Sequence, residues 1–430
     1  MIKTKGDIKR LGDSIREEYP KISNITLDSL QWYRTSHKDS LSEIFNIVCA
    51  CAKHIRKETI VTYRIKRFES IIGKLIRFPD MQFDRMWDIA GCRCIVKSEK
   101  DILRLKELLS SKLFIRKEND YVTTPRASGY RSLHLYISKS EDDKQVVELQ
   151  IRSRDHHNWA TLVEITDFIF DEKLKEKNSN LELARFHKLL SKRETLTIQD
   201  KHEIFNIIKK YNYLEKLNSV FKRNYINVRK QWLQIESKTN HNFFLIETKR
   251  EEAPKINSYS NFNEAEQEYY MRFKENNNSN IVLTHLPRAS YSQISIAYSN
   301  YILTVHEFIE DYNSLLESLI VESLQKKKLR LFTNAYSFYC NNSVSVIKNL
   351  KEESTAISEE FSGKQGNKKV KEWIKDINSQ VFQINKRWER LGIAFRKNPR
   401  KSLFFKFCVN RVVVFNANRH RRKVKKLFTS

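Results

Sequence analysis

Between Arg64 and Glu164 the sequence concentrates residue types suited to phosphate chemistry. Arg64-x-Lys66 is followed by Ser70 and Lys74. Three cations and a hydroxyl at this spacing suit a triphosphate, which carries about four negative charges. The bland alternative is an ordinary basic helix start. Asp88 then precedes Ile89-Ala90-Gly91-Cys92-Arg93. An acid at the mouth of a buried strand is a common Mg²⁺ ligand position; it could equally cap the strand or a turn. Arg93 alternates with apolar neighbours, so Cys92 and Cys94 share the opposite face and read as core. A loop framed by Pro125 and Gly129 carries Arg126, Tyr130, Arg131 and His134. Tyr130 could stack on a nucleobase and the basic residues could meet phosphates. The period-two run 146–152 places Glu148, Gln150 and Arg152 on one face, a second carboxylate for a nucleotide-bound Mg²⁺.

Other candidates weaken on inspection. His156 and His157 are adjacent, so on a helix they point about 100° apart and do not chelate together. The aromatic stripe Tyr291, Tyr298, Tyr301, Phe308 and Tyr312 reads as a packing face rather than a base-stacking platform.

These residues need elements to hold them. Residues 1–80 read as helices, with Leu27, Leu30, Tyr33, Leu41, Ile44, Ile47 and Val48 near helical spacing. Strands are expected at 89–96, 133–138 and 146–152, and helices at 99–111 and 155–170. This predicts an α+β fold, a small mixed sheet flanked by helices. A helical connector follows over 176–240. A second α/β domain is expected over 241–324, with strands at 243–248 and 281–286, helices at 263–274 and 291–323, a loop at 251–262 and a turn at 275–280. A helical region follows over 325–395, broken at 363–367, and then a basic tail over 396–430. Gly and Pro total only 14 of 430 residues, which excludes Gly/Pro-rich disordered chains and favours long helices. Six Cys without a Cys-x-x-Cys pair exclude a disulfide scaffold and disfavour a zinc ribbon.

The net charge is +27 and uneven: residues 321–430 hold 26 basic and 8 acidic residues, a net of +18, and 391–430 hold no acid. Such a block is either a polyanion-binding arm or a solvated basic tail. The polar N-terminus and the absence of a long apolar run point to the cytosol and away from a membrane.

Taken together, Arg64-x-Lys66, Ser70, Lys74, Asp88-Ile-Ala-Gly-x-Arg93, Asp120-Tyr121, Gly129-Tyr-Arg-Ser-Leu-His134, Glu148-x-Gln-Ile-Arg152 and Trp159-Ala-x-x-x-Glu164 resemble the RelA/SpoT synthetase family, over about residues 63–167. Arg10-Leu-Gly12 resembles the start of one branch. The resemblance implies a nucleotidyltransferase-like synthetase core at 63–175, with residues 1–62 as its N-terminal helices. It implies transfer of the β,γ-pyrophosphate of ATP to the 3′-hydroxyl of GDP or GTP, giving (p)ppGpp and AMP. Arg64, Lys66, Ser70, Lys74 and Arg93 match positions that hold ATP. Asp88 matches the Mg²⁺ ligand, and Glu148 the carboxylate that assists the metal or deprotonates the hydroxyl. Tyr130 matches the aromatic that stacks on the acceptor base, and Arg126 and His134 match phosphate-contacting positions. Family members that bind GDP often carry Lys where this chain has Arg126, so acceptor preference is open. The 63 residues before Arg64 are too few for the family's hydrolase domain, so synthesis without degradation is expected. The alternative acceptors are the 3′ end of tRNA and adenosine nucleotides, the chemistry of toxic relatives in anti-phage defence. The basic C-terminus would then hold tRNA; it could instead meet the ribosome, or its region a regulatory protein. Oligomeric state is not legible.

Overall fold

The computed structural model describes residues 4–174, 180–238, 240–275, 280–304, 307–361, 368–396 and 403–429. The break expected at 363–367, and most of the turn expected at 275–280, lie outside the described residues. Two compact units form: residues 1–191 with 227–306, and residues 192–226 with 307–430.

The first unit is built on one mixed sheet of eight strands: β1 (Ile60–Ile65), β2 (Ala90–Val96), β3 (Phe114–Asp120), β4 (Leu133–Ser138), β5 (Val147–Ser153), β6 (Phe243–Thr248), β7 (Lys255–Tyr259) and β8 (Asn280–His285). Their order is β3-β4-β5-β2-β1-β8-β6-β7. β2 and β5 run parallel, and every other pair is antiparallel. The fold is therefore α+β, as expected, but three strands depart from the sequence reading. β1 lies where helix was expected: Ile-Val-Thr-Tyr-Arg-Ile is β-branched and aromatic, and five of its six residues are buried. β3 and β7 are the sheet edges, charge-rich or alternating, and edges are where such sequences belong. β7 replaces part of the loop expected at 251–262.

The second α/β domain expected from 241 contributes its strands to this same sheet. Strands β6–β8 do not start a separate sheet. β8 pairs with the free edge of β1, with Tyr63 opposite His285 and the Thr284 hydroxyl donating to the Tyr63 carbonyl at 3.1 Å. A central strand paired on one side only would leave its other backbone edge unsatisfied. The long helix expected over 291–323 is interrupted as well, into Tyr291–Ala297, Ser299–Ile302 and Phe308–Gln325, with Leu303 in the left-handed region.

One sheet face buries the main core. Val61, Tyr63, Cys92, Cys94, Leu149 and Ile151 pack there with Leu41, Ile44, Phe45 and Val48 of the helix Lys38–Ile55. The cysteines are thus core residues. Part of the opposite face, at Ile60, Ile95, Phe244 and Ile246, is covered by Trp232, Tyr298 and Ile302. Gly12 lets the first helix, Lys5–Glu18, approach closely: a Cβ there would lie 2.7 Å from the Phe83 Cβ.

The extension is clasped to the N-terminal helices by a buried ion pair. Arg34, on the helix Asn24–Thr35, is 1% exposed. Its guanidinium donates at 2.7 Å to Glu266 of the helix Phe262–Glu275, and at 2.8 Å to the backbone carbonyl of Lys66. It also lies 4.2 Å from the Phe68 ring centroid. Removing the carboxylate strands a buried cation. Glu266→Gln should cost about 3–5 kcal/mol of stability, read as a lowered urea midpoint. Glu43→Gln, breaking the exposed pair with Lys139, should leave the midpoint unmoved.

The second unit is helical, and includes Ile198–Lys210, Phe308–Gln325, Leu329–Glu360, Lys368–Arg396 and Leu403–Thr429. The expected tail is thus largely a helix. Its Val409, Val413 and Ala417 are buried, and apolar residues at such spacing suit docking better than solvation. No described helix is long and apolar enough to cross a membrane.

Candidate active site

The polar face of three adjacent strands carries the site. Pairing sets Thr62 opposite Arg93, Gly91 opposite Arg64 and Glu148, and Gln150 opposite Arg93. Because side chains alternate, Arg64, Arg93, Glu148, Gln150 and Arg152 share that face. Burial, and then the nearby Arg152 and Arg64 guanidiniums, lower Arg93 to about 10. Like charges crowded in this way are costly until an anion enters.

Asp88 stands just before β2. It accepts from Lys66 Nζ at 2.7 Å and from Lys74 Nζ at 2.9 and 3.0 Å. Burial would raise its carboxyl, but the two ammoniums hold it below the usual range. Lys74 comes from the helix Phe68–Arg77, and Ser70 sits half-buried in that helix's first turn. The Lys66 loop is fixed at both ends of its residue: its N–H donates to the Ile89 carbonyl at 2.7 Å, and its carbonyl accepts from Arg34.

Glu148 anchors a second network. Its Oε1 meets His134 Nδ1 at 2.9 Å and accepts from Tyr136 Oη at 3.3 Å; its Oε2 accepts from Gln150 at 3.0 Å. Despite burial, the His134 contact holds Glu148 below the usual range, while the Asp88 charge pulls the other way. His134 is raised: burial opposes this, and the Glu148 hydrogen bond overcomes it. The other ring nitrogen meets Tyr130 Oη at 2.8 Å, to which Arg152 donates at 2.7 Å. Burial would raise the Tyr130 phenol, but Arg152 and then His134 bring it down to about 7.

A cavity of about 840 Å³ opens on this face. It unites Arg64, Arg93, Arg126, Tyr130 and His134 from the expected set. Arg126 donates to Tyr121 Oη at 2.9 Å, and its guanidinium lies 4.4 Å from that ring's centroid. Ser70, Lys66, Lys74, Asp88 and Glu148 do not line the cavity itself. The acids Asp88 and Glu148 nevertheless feel each other's charge, as do Lys66 and Glu148.

Part of the wall lies outside the expected set. Arg185 and Lys188, from the helix Leu181–Leu190, line the cavity. Their only sequence signal is position on an unremarkable amphipathic helix. Gly129 makes room for the residue that follows this helix: it has φ +95°, and a Cβ would collide with the Ser191 side chain. The segment 291–304 also reaches the site. Arg93 donates to the Ala297 carbonyl at 3.3 Å, and Asn300 donates to Glu164. His157 meets the Ile296 carbonyl at 2.8 Å while His156 pairs with Glu99, so the two histidines diverge as expected. Tyr298 and Tyr301 are core residues.

Among the described residues, no three His, Cys, Asp or Glu side chains converge on a metal position. The donor set is instead two carboxylates, Asp88 and Glu148, beside an arginine-lined cavity. That suits Mg²⁺, which takes one or two carboxylates and completes its shell with water and substrate phosphate.

Residues 63–175 match the model of the region found in RelA / SpoT proteins. Over these residues the chain is similar to that RelA/SpoT region. The chain is 32% identical over 126 residues to the GTP pyrophosphokinase YjbM of Bacillus subtilis (strain 168), covering 27% of this chain and 60% of that protein. It is 38% identical over 112 residues to the GTP pyrophosphokinase YwaC of the same organism, covering 23% and 53%. The chain thus spans between half and two thirds of the length of these relatives. Small alarmone synthetase 1 from Bacillus subtilis, solved with its product pppGpp, aligns over 44% of this chain and 99% of that one, at 21% identity and a TM-score of 0.33. The RelA/SpoT region contains every expected site residue. The helix carrying Arg185 and Lys188 lies beyond it.

The phenol of Tyr130 gives this geometry a spectroscopic signature. In an ultraviolet tyrosinate titration of the folded chain, one tyrosine should ionise near pH 7, well below the usual value of about 10. Tyr130→Phe should abolish that step, and His134→Gln should move it upward.

Proposed function

We propose that the RelA/SpoT region transfers the β,γ-pyrophosphate of ATP to the 3′-hydroxyl of a guanosine nucleotide, releasing AMP, and works in the synthetic direction. The observation that carries this reading is one sheet face presenting three guanidiniums beside two ionised carboxylates. Arg64 and Arg93 fit the donor phosphates, with Lys66 and Lys74 beside them. Such transfer needs positioning and charge neutralisation more than covalent help. Tyr130 offers a ring for the acceptor base, and Arg126 and Arg152 offer forks for its phosphates. His134 keeps Glu148 ionised by donating to it, which leaves a carboxylate able to accept the proton of the attacking hydroxyl. Mg²⁺ would be held by Asp88 and Glu148, and when bound would neutralise phosphate charge. Lys66 and Lys74 occupy Asp88 meanwhile, keeping it ionised.

A second acceptor, the free 3′-hydroxyl of an RNA end, is favoured by the net +18 on residues 321–430. Incubation with γ-labelled ATP, Mg²⁺ and, in parallel, GDP, GTP, ADP and bulk tRNA distinguishes these. Label on GDP or GTP is expected. Label on tRNA alone would replace the acceptor assignment, and no labelled acceptor at all would refute the pyrophosphotransferase reading. Asp88→Asn and Glu148→Gln should each lower transfer by at least about 10²-fold; full activity in either would remove that residue from the mechanism.

A further inference from the structure

We infer that the exposed face of the C-terminal helix, Leu403–Thr429, is a binding surface for single-stranded RNA. The inference concerns the second unit and does not rest on the reading of the RelA/SpoT region.

This helix holds eight Lys and Arg residues between Lys406 and Lys426 and no acid. It is also anchored. Val409, Val413, Asn416, Ala417 and His420 are buried along one side. Asn416 donates to Ser337 Oγ at 3.2 Å, and the His420 ring stacks on Trp388 with centroids 4.0 Å apart. Burial, with Arg421 beside it, lowers His420 to about 4, so this seam stays uncharged at neutral pH. The opposite side is thereby fixed outward rather than left as a solvated arm.

On that side Phe407, Arg411, Phe415, Asn418, Arg422 and Lys426 recur at spacings of four and three, all exposed. At 1.5 Å per residue they span about 28 Å. Phe407 and Phe415 are 62% and 65% exposed. A concavity of about 730 Å³ is lined by Phe415, Asn418, Arg419, Arg422 and Lys423 together with further lysines.

Each part of this composition narrows the partner. Clustered cations without acids select a polyanion and provide most of its affinity by releasing counterions. Phenyl rings set among cationic side chains match a strand whose bases are unstacked, because a ring needs an open base face. Double-helical RNA offers no such face, and its major groove is too narrow for side chains to read. A membrane surface fits poorly: the buried apolar side of the helix is already packed within the unit, and Arg411 separates the two outward phenyl rings. The Asn418 amide, between Phe415 and Arg422, can both donate to and accept from a ribose 2′-hydroxyl, which favours RNA over DNA.

The test is equilibrium binding of the full chain to a fluorescein-labelled oligouridine over a range of salt. Parallel arms use the DNA oligomer, a duplex RNA and anionic lipid vesicles. Binding tightest to single-stranded RNA is expected. Arg419→Ala with Arg422→Ala should weaken it at least ten-fold and reduce the slope of log affinity against log salt by about 1.4. Phe415→Ala should weaken it roughly ten-fold with the slope unchanged. Glu43→Gln, at the exposed pair with Lys139, should bind as the parent does. Absence of RNA binding, tighter binding to duplex, DNA or vesicles, or equal binding by the double variant and the parent would each overturn the inference.

Discussion

Three guanidiniums on one face of adjacent strands set the terms for the first unit. Arg64, Arg93 and Arg152 come from β1, β2 and β5, and the strand pairing leaves them no other direction to point. Burial, and then repulsion from the other two, depresses Arg93, a group of a type that proteins almost never deprotonate. An apolar core on the opposite sheet face holds the strands in register against that cost. Glu164, on the cavity wall, opposes that repulsion at Arg93, but the other two acids of the site are held elsewhere. Asp88 is taken up by two lysines and Glu148 by His134. The guanidiniums are therefore left facing a cavity suited to a polyphosphate.

The surrounding elements keep this arrangement stiff. Arg34 ties the carbonyl of Lys66 to Glu266, so the loop bearing one Asp88 partner is fixed by the helix that covers strands β6–β8. Tyr130, His134, Glu148, Gln150 and Arg152 form one hydrogen-bonded chain across β4 and β5. A buried network of this kind specifies a single geometry only when its members are satisfied together. Deleting one member should disturb the charge of the rest, as the linked displacements of Tyr130 and His134 indicate.

Much of the site was legible in the sequence, because period-two alternation shows which face a residue takes. Arg93 between Cys92 and Cys94, and Glu148-x-Gln150-x-Arg152, declare their common side by alternation alone. What escaped is what sequence spacing does not encode. β1 ends a long helical stretch, and its pairing with β8 joins residues more than two hundred positions apart, so the sheet's full width was read as two domains. The charged edge strand β3 lacks the apolar alternation that marks a strand. Arg185 and Lys188 sit on a helix whose pattern reports only its buried side. Arg34 looks like any helical arginine until Glu266 and Phe68 close around it. The C-terminal charge was visible, but the Val409–Val413–Ala417 seam that turns a tail into a docked helix needs its partners to be recognised.

The most direct test of the account is thermal unfolding of Arg93→Met with and without ATP. Replacing a crowded, buried cation by an apolar chain of similar length should raise the melting temperature of the free protein and shrink the further rise that ATP gives the parent. A variant that melts lower than the parent yet keeps the full ATP-induced rise would contradict it, because Arg93 would then be a structural residue and not a poised phosphate ligand.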